Sequence, residues 1–171
     1  MRLITAAIIL SLAGSDLADE TAKSKALPVT ESADSDHAAK LAMDDRIEPL
    51  LNRRTAFSNR PYWWVLPKKL PFARFVRIAV GEEEDQKLQI VRGGWIHIAL
   101  ANEGPDSRDA SPEHVTAFAK KSGWEKTDIA IGYRVPLKQR ATPMSVYRKK
   151  VPVGELTIPR VNWSGPVILI P

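Results

Sequence analysis

The chain contains no cysteine, which removes disulfides, thiolate metal sites and thiol nucleophiles together. Histidine is nearly as scarce, three in 171 residues. None stands in an HExxH arrangement, so no zinc site is expected. No apolar run reaches the roughly 20 residues that a bilayer-spanning helix needs, and no transmembrane segment is expected. There is no Gly-x-Ser-x-Gly elbow, and Gly93-Gly94 lacks the Lys-Ser/Thr context of a phosphate loop. The acids of Glu82–Asp85 are consecutive, the pattern of a solvated turn rather than of a spaced glycosidase pair. No catalytic residue, metal or cofactor is therefore expected. His97 sits in an apolar stretch and is expected to be a hydrogen-bonded structural histidine, and His114 falls in an exposed helical turn. A hydrolase built on His97, Asp106 and Arg108 is the least favoured reading.

Charge is present but uneven. The net charge is +5. Residues 1–48 hold 5 basic and 9 acidic side chains, and the remaining 123 hold 20 and 11, so an acidic tail of −4 precedes a basic body of +9. A basic surface draws anionic partners: nucleic acid, acidic lipid, or a sulfated or uronic polysaccharide. No nucleic-acid-binding motif accompanies the charge.

The first residues read as an address. Met1-Arg2 is a short positive start, and Leu3–Ala13 an apolar stretch of signal-peptide length. Small residues place cleavage between Ala13 and Ala18; the alternative is an N-terminal core helix. Residues 1–18 are thus assigned to a signal peptide and the protein to a secreted or periplasmic compartment. Residues 19–48 carry Ala, Ser, Thr, Asp, Glu and Lys without an aromatic, too little apolar surface to offset ordering entropy. They are expected to form a disordered acidic linker, with at most a helical turn at Ala38–Arg46 and a solvated His37.

From residue 49 to 171 the texture is that of strands. Tyr62–Leu66 and Phe75–Val80 are short β-type runs, and Lys87–Arg92 alternates with Leu88 and Ile90 on one face. Gly93-Gly94 reads as a hairpin turn into Trp95–Ala101. Ser111-Pro112-Glu113 is a helix start, with Gly123 as its stop. Strands resume at Trp124–Arg134, Met144–Val151, Glu155–Ile158 and Val167–Ile170. The expected fold is mainly β: an antiparallel sandwich, Ig-like or jelly-roll-like, with one short α-helix.

The order of these pieces resembles a small β-sandwich module of exported bacterial proteins, often appended to polysaccharide-degrading enzymes. Ile96-His-Ile-Ala99 corresponds to its first strand motif and Asp106-Ser-Arg108 to its loop. Pro112, Phe118, Gly123-Trp124 and Thr127-Asp128 follow in the helix region and beyond it, and Ser145–Lys149 with Val153–Ile158 corresponds to its final hairpin. The likeness spans about residues 60–160. Val115-Thr116 and Pro159–Trp163 depart from the pattern, and no catalytic domain is expected ahead of the module. The resemblance implies an exported, non-catalytic module in a polysaccharide setting.

Candidate ligand residues are Trp63 and Trp64, Tyr147, and the loop pair Asp106 and Arg108. Adjacent Trp63 and Trp64 must face opposite ways in a strand, so one is core and the other available to stack on a sugar. Asp106 and Arg108 serve either a ligand or the loop's own turn. The function expected is binding of a polysaccharide or anionic glycan. The alternative is a structural domain that meets protein partners through a sheet edge or the C-terminal strand.

Overall fold

The computed structural model describes residues 36–81, 84–102 and 111–171. Among them the strands are β1 Lys40–Leu41, β2 Ile47–Pro49, β3 Trp63–Val65, β4 Arg74–Val76, β5 Gln86–Arg92, β6 Gly94–Ala101, β7 Glu125–Arg134, β8 Thr142–Val151, β9 Gly154–Ile158 and β10 Val167–Ile170, with helix α1 at Pro112–Lys121 between β6 and β7. Antiparallel pairing sorts them into a three-stranded sheet, β1-β5-β9, and a seven-stranded sheet, β2-β4-β10-β6-β8-β7-β3. The fold is mainly β, sandwich-like, with one short helix.

Strands β3 to β10 lie close to where apolar patterning puts them, but two of their connections differ. β5 and β6 do not pair with each other; nor do β8 and β9. Instead β6 pairs with β8 up to Gly94↔Val151, and β5 pairs with β9 from Ile90↔Gly154. Residues 86–101 and 142–158 are therefore two long strands, paired along their length, that bend together and give one half to each sheet. Three residues (91–93) oppose two (152 and 153) at the bend, the count of a β-bulge, and such irregularities let strands switch sheets at a corner. The expected hairpin across Gly93-Gly94 is replaced by this corner, as is the expected final hairpin.

Glycine is needed there for close approach. A Cβ on Gly94, whose φ is +144°, would stand 2.4 Å from the His37 carbonyl oxygen. The chain that crosses at this point is the segment expected to be a linker. The Trp95 N–H donates to the His37 carbonyl (2.9 Å) and the Ala39 N–H to the Trp95 carbonyl (2.8 Å). Lys40 then pairs opposite Arg92, and Ile47–Pro49 pair along β4. The folded unit thus begins before Pro49. Residues 38–49 are ordered by backbone pairing with other strands, a contribution that their own composition does not announce. His37 is half-buried beneath Gly94 rather than solvated.

The long sheet curls. Residues 53–58 hydrogen-bond to β3 on one side, through Trp64 N–H to the Arg54 carbonyl (2.9 Å) and Ala56 N–H to the Tyr62 carbonyl (2.7 Å). On the other side the Ser58 N–H donates to the Ile78 carbonyl (3.0 Å), just past β4. Arg77 fastens this segment, donating to Glu48 Oε1 (2.8 Å) and to the Phe57 carbonyl (3.3 Å). Inside the curl the rings of Phe57 and Tyr133 meet edge-on at 5.1 Å, as do Trp64 and Phe75 at 5.2 Å. All four side chains are fully buried, and such aromatic pairs add stability beyond their buried area.

Helix α1 forms as its sequence directs. The Ser111 side chain accepts from the His114 N–H (3.3 Å), and Pro112 occupies the first turn. Gly123, at φ +72°, ends it. Val115 and Ala119 form its buried face.

Candidate functional site

The residues proposed from sequence do not converge. Trp64 has no exposed surface and Tyr147 is 2 % exposed, so neither can offer a ring face to a ligand; both belong to the core. Trp63 is half-buried on β3, with Thr55 paired beside it. Asp106 and Arg108 lie outside the described residues. The C-terminal strand, offered as a contact surface for partners, is β10; it sits inside the long sheet between β4 and β6 and has no open edge there.

A different cluster emerges where β6, β7 and β8 run side by side. Register sets Trp95 opposite Lys150, His97 opposite Arg148, and Glu125 opposite Arg148. Side chains alternate along a strand, so the basic run Arg148-Lys149-Lys150 is split between two faces. Arg148 and Lys150 fall on the face of Trp95: the guanidinium carbon lies 4.4 Å and the Lys150 ammonium 5.2 Å from the indole centre. Lys149 turns the other way, 6.0 Å from the ring of Trp124, and donates to the Ser122 carbonyl at the end of α1 (2.8 Å). Every cation of the run therefore rests on a tryptophan. Ammonium and guanidinium groups are attracted to the negative face of an indole, by about 0.5–1 kcal/mol at exposed sites.

The two cations over Trp95 already meet carboxylates. Arg148 Nε donates to Glu125 Oε2 (3.1 Å), and Lys150 Nζ lies 3.5 Å from Asp36 Oδ1. The acidic side chains are 60 % and 96 % exposed. Solvent-facing ion pairs of this kind contribute little and exchange readily. The indole thus packs beneath both cations, and the two carboxylates beside them face solvent.

His97 borders the platform from within. Its ring centre lies 4.9 Å from that of Phe72, and its Nδ1 is buried with no hydrogen-bond partner among the described residues. Burial first, and the neighbouring Arg148 charge second, hold its pKa below the usual histidine value. His97 is accordingly packed, as its apolar strand implies, but among the described residues its Nδ1 lacks the hydrogen bond expected of a structural histidine. Among the described residues no three of His, Asp or Glu gather as metal ligands would, and no helix there is long and apolar enough to cross a membrane.

Scans against protein-family profiles, curated proteins and solved structures returned no match to this chain. The likeness to modules appended to polysaccharide-degrading enzymes therefore rests on the sequence motifs alone. The platform was missed because Trp95 and residues 148–150 are more than fifty positions apart. The signal was present in the basic run, but only the β6·β8 register brings the indole beneath it.

Proposed function

We propose that this protein is an exported, non-catalytic binding module whose ligand is an acidic polysaccharide, uronic or sulfated. The observation that carries the reading is the Trp95 platform, where a guanidinium and an ammonium are positioned on one indole. A guanidinium fork offers paired donors to a carboxylate or sulfate, and the ammonium supplies a second point of charge. Glu125 and Asp36 occupy the positions that acidic groups of a ligand would take, and they are exposed enough to be displaced. The basic body of +9 over residues 49–171 favours encounter with a polyanion. Export rests on the residue pattern of positions 1–18.

Calorimetric titration of the protein with galacturonate and heparin oligosaccharides, against a neutral glucan, tests this. The expected result is binding to an acidic oligosaccharide that persists near 150 mM salt. It should weaken about tenfold in Trp95→Ala and in Arg148→Ala, without loss of fold. Equal binding to the neutral glucan, or binding indifferent to both substitutions, would overturn it. Affinity confined to low salt would indicate only diffuse charge attraction, which salt screens over about 8–10 Å.

A further inference from the structure

A second feature lies where the two sheets part. A groove of about 690 Å³ opens between β1 and β5 of the small sheet and β2, β4 and β10 of the large one. That volume falls within the roughly 300–1,000 Å³ of small-molecule sites. Its lining is chiefly apolar, with Leu41, Met43, Ile47, Val91 and Ile170 along it. Met43 is fully exposed and Val91 is 47 % exposed, so part of this apolar surface is uncovered.

The rim has one sign of charge. Lys40, Arg74 and Arg92 all border the groove, and none has an acidic partner among the described residues. The one acid in the lining, Asp44, is committed elsewhere. It accepts from Arg46 Nε (3.0 Å) and Arg46 Nη2 (2.6 Å), and that bond holds its pKa below the ordinary carboxylate value. Lys40 and Arg92 are direct cross-strand partners. Like charges opposed across a ladder are destabilising, and an anion between them would turn repulsion into attraction.

We infer that this groove binds a free single-chain anionic amphiphile, a long-chain carboxylate, with its alkyl chain along Leu41, Met43, Val91 and Ile170 and its head among Lys40, Arg74 and Arg92. Each buried methylene adds up to about fourfold in affinity, so chain length and head charge both register.

The test is a nuclear magnetic resonance titration of the full chain with decanoate, decanol and hexanoate, following the methyl signals of Met43, Val91 and Ile170. The expected result is saturable binding of decanoate with shifts at these methyls. Decanol and hexanoate should each bind at least about tenfold more weakly. Arg74→Gln with Arg92→Gln, and separately Val91→Glu, should each reduce decanoate affinity about tenfold. These positions are exposed and their variants retain the circular dichroism spectrum. Absence of saturable decanoate binding would overturn the proposal, as would equal affinity for decanol or shifts confined to other methyls. Co-sedimentation with phosphatidylglycerol vesicles without binding of monomeric decanoate would also overturn it, because the partner would then be a membrane surface.

Discussion

Strands β6 and β8 carry two regions on a single face, and they could hardly differ more. Toward one end, Ala99, Ala101, Met144 and Val146 are fully buried and join the curl that holds Trp64, Phe57 and Tyr133. Toward the other, Trp95 and His97 stand opposite Lys150 and Arg148. The backbone pairing is unbroken from Gly94↔Val151 to Ala101↔Met144. What differs is whether another element covers the face. Residues 53–58 close the first region, so its aromatic rings are packing. The second remains half-open, so its ring supports cations. An aromatic residue's role in this fold is set by which end of the ladder it occupies.

The largest expected effects come from breaking the closed end. Trp64→Ala should cost about 3–5 kcal/mol, the range for removing a large buried aromatic, whereas Trp95→Ala should cost about 1 kcal/mol. Urea unfolding followed by circular dichroism measures both; equal losses would erase the distinction between the two ends. Next comes the corner that joins the sheets. Gly94→Ala would drive a Cβ to 2.4 Å from the His37 carbonyl, whereas the same change at Gly154, φ +134°, meets nothing within 4 Å. Both carry backbone strain of about 1–3 kcal/mol, but only Gly94→Ala should also release the N-terminal strand. Faster hydrogen exchange at the Ala39 amide in that variant alone is the expected readout.

A smaller effect sharpens the comparison inside the closed end. The Tyr133 hydroxyl lies 2.9 Å from the Ser164 hydroxyl in a buried setting, and Tyr133→Phe should cost about 1 kcal/mol. The smallest effect belongs to the open end and depends on pH. His97 has its pKa lowered from 6.5 in the folded state, by burial and then by Arg148. Below pH 6.5 the unfolded chain binds a proton that the folded chain resists, so stability is full above that pH and declines as pH falls through the folded pKa. His97→Phe should flatten the pH dependence of unfolding as pH falls below about 6.5, the ordinary histidine value. An unchanged slope would place the titrating group elsewhere.

Much of the secondary structure was legible because the relevant forces are local. β10 was read at its observed residues, and α1 was announced by Ser111, Pro112 and Gly123. Pairing was not legible, because a corner and a hairpin share the same local signal. Gly93-Gly94 supplies conformational freedom in either case, and only the crossing backbone of His37–Ala39 shows why Gly94 has no side chain. β1 and β2 were missed because Lys40-Leu41 and Ile47–Pro49 gain order from their neighbours' hydrogen bonds. Of the candidate site, the opposition of Trp63 and Trp64 followed from strand alternation, and Trp64 is the buried member. Tyr147 misled because β8 is covered on both faces around it: Ser145, Val146 and Tyr147 are all buried, and period-two reasoning then cannot separate core from surface.

The most direct test of the account uses the indole N–H resonances of the five tryptophans as reporters in a titration with galacturonate or heparin oligosaccharide. The Trp95 signal is expected to move with ligand and saturate, while those of Trp64 and Trp63 hold still. Movement centred on Trp63, or no movement of Trp95 under saturating ligand, would contradict it.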